Sequence, residues 1–302
     1  MATYINANSV AFSNNTFENN KNIVNVDLRN TAFVNDLMHS AFYNCTNLQS
    51  VTNINTGVTD MYSTFGYCSN LVNAPIIPNS VTSMGRTFNG CSSLVNAPVI
   101  PNSVTNMWGT FMGCYNLVNA PNIPNSVTTM SHTFDGCSSL VNAPAIPNSI
   151  TDMWGTFMGC YNLVNAPAIP NSVTDMRRTF DECSNLVNAP AIPNSVINML
   201  GTFDGCSNLT GNIYIHSNQV SNATNCFYNT SLTKNVYIPF TYENNTNTQT
   251  YNSFIAAGYD TAGTINGVYL KNINEIPPSL SYSRDIAKDL IYNSSTGNYD
   301  PV

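Results

Sequence analysis

A fixed 23-residue spacing constrains this chain more than any other feature of its sequence. Eight of the nine cysteines follow it: Cys45, Cys68, Cys91, Cys114, Cys137, Cys160, Cys183 and Cys206. A phenylalanine lies three residues before each of these cysteines, and a leucine lies three residues after each. Periods of about 20–50 residues are typical of stacked repeats, in which one unit cannot bury its apolar face without its neighbours. The sequence therefore predicts a solenoid of 23-residue coils.

Apolar spacing within one repeat predicts its local structure. One face of a helix is indicated by residues at i, i+3, i+4, i+7 and i+10, which are Met107, Thr110, Phe111, Cys114 and Leu117. Gly109 and Gly113 lower the helix propensity, so this helix is expected to be short and irregular. Pro121 and Pro124 then leave room for about three extended residues, at 118–120, followed by a turn.

The predicted fold class is therefore α/β, with a short strand, a turn and a short helix in each repeat. Packed helices stand about 8–10 Å apart, whereas strands stand about 4.8 Å apart. The stack is accordingly expected to curve, with the strands on its inner face and irregular caps at both ends.

Departures from the period divide the chain into four predicted segments. Residues 1–30 fit a degenerate N-terminal capping repeat, and residues 31–240 form the repeat solenoid. Residues 241–273 are predicted to be a C-terminal cap, with a short helix within 251–259 and a closing strand at 268–270. Residues 274–302 are predicted to be a tail or attachment segment.

The composition argues against several classes of partner. Only 8% of the residues are charged, and the net charge is −7. So few basic residues make a phosphate-binding surface difficult to build, and nucleic acid and anionic membranes are not expected partners. No stretch approaches the roughly 20 apolar residues of a membrane helix. The N-terminal residues lack the pattern of a secretion signal, so the chain is expected to stay in the cytosol unless another route, such as release in a virus particle, carries it out.

No motif supports catalysis, a cofactor or a metal ion. The cysteines lack the Cys-x-x-Cys spacing and are predicted to be buried, reduced thiols. The carboxylates of the repeats fit no calcium loop and are predicted to be solvated. Two rows of asparagine, Asn73 to Asn188 and Asn79 to Asn194, are predicted to satisfy buried backbone groups between neighbouring repeats. The chain is not expected to be an enzyme.

A two-repeat alternation is laid over the period and provides the candidate binding site. The large side chains recur after 46 residues and are Trp108, Met112, Tyr115, Trp154, Met158 and Tyr161. Basic residues flank them in the other repeats: Arg86, His132, Arg177 and Arg178. Two interpretations remain open. One is packing between repeats, in which a Trp contacts Arg or His and Gly109 and Gly155 make room. The other is an exposed aromatic patch that binds sugar rings or a protein, with the two Trp about 16–20 Å apart if both are exposed.

The repeat resembles the BspA-type leucine-rich repeats of bacterial and phage surface proteins. The likeness is carried by Phe88-Asn-Gly-Cys91-Ser-Ser-Leu94 and by Ile100-Pro-Asn-Ser-Val-Thr105, and it covers about residues 31–239. The Met-x-x-Thr-Phe segment is similar to a sister repeat of mycoplasma lipoproteins. This resemblance implies a curved leucine-rich-repeat solenoid used in adhesion or recognition, and it implies no catalytic residues.

Three functions are consistent with these observations. The first hypothesis is a phage virion component, such as a tail or fibre protein, that contacts the bacterial surface or another virion protein. The second is a bacterial cell-surface adhesin or scaffold, and the third is an inhibitor that captures a host protein. The expected partner is thus a bacterial surface glycan or protein, or other virion proteins. The oligomeric state is left open.

Overall fold

A computed structural model describes residues 4–6, 11–29, 31–230, 234–239, 248–259, 268–273, 290–293 and 298–301. Its strands are β1 (Tyr4–Asn6), β2 (Ala11–Phe12), β3 (Asn25–Asp27), β4 (Ala32–Phe33), β5 (Ser50–Thr52), β6 (Ile213–Tyr214), β7 (Lys234–Ile238), β8 (Val268–Asn272), β9 (Leu290–Asn293) and β10 (Asn298–Pro301). A 3-10 helix spans Val34–Asp36, and one α-helix, α1, spans Gln249–Ala256.

Parallel pairing joins the strands at both ends of the repeat region. At the N-terminal end β3 pairs with β1 and β5, and β2 pairs with β4. At the C-terminal end β7 lies between β6 and β8. Among the described strands, β9 and β10 pair in the antiparallel direction.

Between β5 and β6 the repeats pair through single-residue parallel bridges. One row of bridges runs in 23-residue steps through Asn73, Asn96, Asn119, Asn142, Asn165 and Asn188. Where the sequence predicts a strand at 118–120, only Asn119 forms a bridge. Proline lacks an N–H group, so Pro121 and Pro124 cannot donate to a longer ladder. The strand of each repeat is therefore reduced to one paired residue.

The predicted helix at 107–117 is wrong, and consecutive turns take its place. The N–H of Thr110 donates to Met107 (3.1 Å), that of Cys114 to Phe111 (3.0 Å), and that of Leu117 to Cys114 (3.0 Å). Intervening N–H groups donate instead to the next repeat, as Phe111 does to the carbonyl of Thr133 (2.9 Å). Gly109 has a φ of 59°, in the left-handed region, which a right-handed helix does not contain.

This hydrogen bonding also removes the basis of the predicted curvature. That expectation required a helix-to-helix spacing of about 8–10 Å on one side of the stack. In the described repeats the turn side is joined to its neighbours by backbone hydrogen bonds, as the bridge side is. Both sides therefore have the spacing of hydrogen-bonded strands, about 4.8 Å.

The core is a set of parallel side-chain columns along the stack. The Met, Phe, Cys and Leu of each repeat are fully buried from Met38 to Leu209. The phenylalanine rings stack, and those of Phe88 and Phe111 lie 5.7 Å apart with an interplanar angle of 2°. All nine cysteines are buried, as the sequence predicts.

The two asparagine rows do not have the predicted buried role. Asn73 and Asn79 are exposed, and so are their equivalents along the stack. The serine after Asn79 and its equivalents contact the buried carbonyls instead, as Ser103 does when its Oγ donates to the carbonyl of Val81 (2.6 Å). A hydroxyl on a short side chain reaches the preceding repeat from within the turn, whereas the amide points to solvent.

Helix α1 covers the last repeat. Thr248 caps its N-terminus by accepting a hydrogen bond from the N–H of Tyr251 (3.2 Å). The Phe254 ring stacks on Phe227 at 6.1 Å, and the Tyr259 hydroxyl accepts a hydrogen bond from the N–H of Phe227 (2.9 Å). A helix and a strand therefore lie near the predicted 251–259 and 268–270, with the bounds Gln249–Ala256 and Val268–Asn272. Of the helices described, none has the length and apolar character needed to cross a lipid bilayer.

Candidate functional site

The large variable side chains lie on the surface formed by the consecutive turns. We call this surface the turn face, and it comprises the solvent-facing side chains of residues 85–92, 108–115, 131–138, 154–161 and 177–184. The buried Met, Phe and Cys of each repeat anchor the turns from below. The side chains between these anchors point outward and differ from repeat to repeat.

A pairing of bulky residues with glycine explains the alternation along the turn face. One turn position is left-handed in every repeat: Arg86 has a φ of 54° and His132 of 57°, and Gly109 and Gly155 both have 59°. Each bulky side chain lies over the glycine of the next repeat. A Cβ atom on Gly109 would lie 3.3 Å from the Arg86 Cγ, and one on Gly155 would lie 2.6 Å from the His132 ring. A side chain on either glycine would therefore meet the bulky residue of the preceding repeat.

The first aromatic cluster surrounds Trp108. The Arg86 guanidinium carbon lies 4.3 Å from the centroid of the Trp108 ring, within the range of a cation–π contact. Beside them is a pocket of about 150 Å³, lined by Arg86, Trp108, Gly109, Met112, His132 and Asp135. Asp135 was not among the predicted site residues. Its position three residues after His132 was the available signal, since the His132 Nδ1 and an Asp135 carboxylate oxygen are 2.9 Å apart.

The second aromatic cluster surrounds Trp154. The His132 ring meets it edge to face at 4.8 Å, and the Arg177 guanidinium carbon lies 4.8 Å from its centroid. Arg177 also forms an ion pair with Asp175 at 2.7 Å. Arg178 lies 3.8 Å from Asp181. The contacts expected from packing between repeats are therefore present, and Trp154 nevertheless keeps 39% of its surface exposed.

The remaining predicted site residues complete the turn face. Tyr115 is 56% exposed and Tyr161 is 47% exposed, while Met112 and Met158 are half-buried. The Tyr161 hydroxyl donates to a Glu182 carboxylate oxygen (3.0 Å). The predicted spacing of 16–20 Å between the two Trp is wrong, since it assumed stacked helices. Two hydrogen-bonded repeats separate these residues by about 10 Å along the stack.

Carboxylates continue the turn face toward the C-terminal repeats. Burial and the nearby Asp204 carboxylate raise the pKa of Asp181 to about 6, against the opposing effect of Arg178. Burial likewise raises the pKa of Asp204. Among the residues that the structure describes, no group of three or more His, Cys, Asp or Glu is arranged to hold a metal ion.

The cysteines have the properties of structural residues. Burial raises the pKa of Cys91, Cys137 and Cys160 well above that of a free thiol. The eight periodic thiols, Cys45 to Cys206, each donate to a backbone carbonyl of the preceding repeat, as Cys114 does to Phe88 (3.1 Å). Because the thiolate is the reactive form, these protonated side chains are poor nucleophiles.

The parallel 23-residue register and the buried leucine column define a leucine-rich repeat protein. A family model described as the BspA type leucine-rich repeat region, in six copies, matches residues 3–118, 106–199 and 131–255. The chain belongs to this family. Comparison with curated proteins found no match.

Solved structures of bacterial leucine-rich repeat proteins are similar to the chain. A protein from Bacteroides ovatus has a TM-score of 0.53 and 22% identity, over 83% of this chain and 65% of that protein. One from T. pallidum has a TM-score of 0.37 and 22% identity, over 59% of this chain and 71% of its own. A leucine-rich cell surface protein from Faecalibacterium prausnitzii has a TM-score of 0.26 and 19% identity, over 70% and 85%.

These comparisons define a fold and a general class of function. The likeness to the Bacteroides ovatus protein shows the leucine-rich repeat fold, and the chain spans about two thirds of that protein. Proteins built from such repeats generally bind other molecules or have structural roles, through the extended surfaces that stacking creates. The comparisons give no support to the prediction of a phage virion component.

Proposed function

We propose that this protein is a non-catalytic recognition protein that binds a glycan or protein of the bacterial surface through the turn face. The observation that supports this most directly is the concentration of sequence variation there. The bridge side repeats Leu-Val-Asn-Ala-Pro almost without change, whereas the turn face carries Trp, Tyr, Arg and His in a two-repeat pattern. A surface required only for stacking would not need these larger side chains.

The chemistry of the turn face fits recognition. Exposed aromatic rings bury a large apolar area at a low cost in side-chain entropy, and arginine adds directed hydrogen bonds. Trp154, Tyr115 and Tyr161 are exposed within a short distance along the stack, and Arg177 contacts the Trp154 ring. Their contacts with each other hold the rings in place before a ligand arrives, which reduces the entropy lost on binding.

The protein would present this surface to bacteria from one of two locations, which are a bacterial envelope and a virion. Immunogold electron microscopy with an antibody to this protein separates them. Label on the bacterial surface supports the adhesin, and label on purified particles supports the virion component. Label on neither would remove both locations.

Attachment measurements test the proposed binding face. The variant is Trp108→Ser together with Trp154→Ser, because serine already occupies this position at Ser131. We expect the folded variant to attach to bacteria at least about tenfold more weakly, the effect of losing anchor side chains worth more than about 1.4 kcal/mol.

The matched control changes exposed apolar residues outside the turn face. Ile76 and Val99 are 90% and 88% exposed, and they follow the proline of the bridge side. Ile76→Ser with Val99→Ser should leave attachment unchanged. Equal loss in both double variants, or none in the tryptophan variant, would reject the turn face as the binding surface.

A further inference from the structure

The pocket beside Trp108 differs from every other part of the turn face in its charge balance. Arg177 pairs with Asp175, Arg178 with Asp181 and His132 with Asp135. Arg86 has no carboxylate at ion-pairing distance among the described residues. Its Nε is covered from solvent and has no hydrogen-bond partner within the same part of the chain. Arg86 is thus the arginine of the turn face that no described carboxylate approaches within ion-pairing distance.

Stacking fixes the position of this cation. The Arg86 side chain crosses Gly109 and places its guanidinium 4.3 Å from the Trp108 ring centroid. A guanidinium placed over an indole keeps N–H groups at its edge, and these can donate two parallel hydrogen bonds to a carboxylate. Arg86 is therefore preorganised to receive an anionic group.

The opposite end of the pocket has the complementary chemistry. His132 and Asp135 belong to the repeat two steps beyond that of Arg86, so they lie about 10 Å along the stack. The Asp135 carboxylate is held by His132 at one oxygen and can accept hydrogen bonds from hydroxyl groups at the other. Met112 and the indole of Trp108 supply apolar walls between the two ends.

We propose that this pocket binds one acidic sugar residue, a uronic or sialic acid. Its carboxylate pairs with Arg86, its ring lies against Trp108 and Met112, and its hydroxyl groups donate to Asp135. The volume of about 150 Å³ suits a single sugar ring, since pockets for drug-sized ligands measure about 300–1,000 Å³. The inference rests on the proposed function, because it names the ligand class of the turn face.

Nuclear magnetic resonance offers a direct test, since the chain contains only two tryptophans. Its ¹H–¹⁵N spectrum therefore holds two indole signals, assigned with a Trp154→Phe variant. The probes are methyl glucuronide, methyl N-acetylneuraminate and, as the uncharged control, methyl glucoside. We expect the two acidic sugars to shift the Trp108 signal and leave the Trp154 signal in place, and the glucoside to bind at least about tenfold more weakly.

A pair of matched variants separates the cation from the fold. Arg86→Asn removes the guanidinium, and asparagine tolerates the left-handed backbone there. Arg178→Asn makes the same change at the same repeat position, also left-handed and also over a glycine, Gly201, but at an arginine already paired with Asp181. Arg86→Asn should weaken binding of the acidic sugars at least about tenfold, and Arg178→Asn should not.

The pocket assignment would be overturned by equal loss in both variants, by equal binding of the glucoside, or by equal binding of N-acetylglutamate, which would indicate a peptide carboxylate. These outcomes are independent of the attachment assay. Attachment that depends on the tryptophans, with no effect of acidic sugars on the Trp108 signal, overturns the pocket assignment alone. An acidic-sugar shift without tryptophan-dependent attachment overturns the proposed function alone.

Discussion

Buried carbonyl groups explain, at the scale of single residues, why the repeats from Thr64 to Cys206 keep a threonine and a cysteine. The Thr110 hydroxyl donates to the carbonyl of Met84 (2.9 Å), and the Cys114 thiol donates to that of Phe88 (3.1 Å). A buried carbonyl left without a partner costs free energy, so these side chains stabilise the stack. The sequence predicts that the thiols are buried, because they share the period of phenylalanine. It does not reveal their acceptors, which belong to the preceding repeat.

Thiol labelling tests the structural role of the cysteines. Because burial raises the thiol pKa and blocks access, we expect fewer than one of the nine cysteines to react with a disulfide reagent in the native protein at pH 8. All nine should react after denaturation in guanidinium chloride, which is the control. Rapid native labelling of several cysteines would contradict a continuous buried column.

The Asp181 carboxyl should make stability depend on pH. Its pKa of about 6 in the folded protein lies above the ordinary value, so the folded state binds the proton more tightly than the unfolded chain does. The free energy of unfolding should therefore fall as pH rises from about 4 to 6.

Asp181→Asn removes this titration. Since the carboxyl is only half-buried, solvent screening leaves an expected gain of about 1 kcal/mol at pH 7. Urea denaturation at pH 4.5 and 7 measures it. An equal change at both pH values would show that the effect comes from packing and not from charge.

At the scale of elements, the backbone geometry of the turns explains why their apolar residues have the sequence spacing of a helix. Each turn advances the chain by about three or four residues, so buried residues recur at the spacing of a helix face. The difference lies in the hydrogen bonds, because alternate N–H groups donate to the next repeat. In the sequence, Gly109 and Gly113 were the residues that indicated turns, and both have a left-handed backbone in the structure. Apolar spacing alone does not show whether a backbone N–H group donates to a carbonyl of its own repeat or to one of the next repeat.

A double-mutant cycle tests the pairing of bulky residues with glycine. In the parent, Gly155→Ala places a Cβ against the His132 ring and adds left-handed strain, and should cost about 2–4 kcal/mol. In a His132→Gly background only the strain remains, so the same change should cost about 1–2 kcal/mol. Chemical denaturation gives both values. Identical costs in the two backgrounds would show that His132 does not press on this glycine.

At the scale of the molecule, parallel pairing between neighbouring repeats continues through the described residues from β3 to β8. The period of the cysteines matches the 23-residue steps of the bridges between Leu37 and Asn198. The period is lost after residue 240, where α1 lies and where β7 pairs with β8 across 34 residues, Lys234 with Val268. The expectation of curvature depended on helices, and turns stand in their place. The alternation of Trp108 and Trp154 sets a second, 46-residue period, and it was visible in the sequence. The cause of this alternation is that a glycine lies beneath each bulky side chain. It could be recognised only from the distance between repeats in the structure.

Deleting residues 115–160 tests both periods at once. The deletion removes 46 residues and joins Cys114 to Tyr161, so the repeat spacing and the alternation are both preserved. We expect a folded protein that unfolds cooperatively, with a denaturant m-value lower by about 15%, in line with the smaller surface exposed. Deleting residues 115–126 breaks the register and should prevent folding. Equal behaviour of the two deletions would contradict a stack held together by repeat register.

The proposed function requires that the variable residues of the turn face form the binding site. Replacing these residues in one repeat, while the repeat itself is kept, tests this most directly. The variant Trp108→Ser, Met112→Asn and Tyr115→Ser gives this repeat the residues of its neighbours, Ser131, Asn89 and Ser138. The measurement is the Kd for isolated bacterial envelopes, made alongside a thermal unfolding curve. The predicted result is an unfolding transition close to that of the parent and binding at least about tenfold weaker. A folded variant with the parent's Kd would contradict the account.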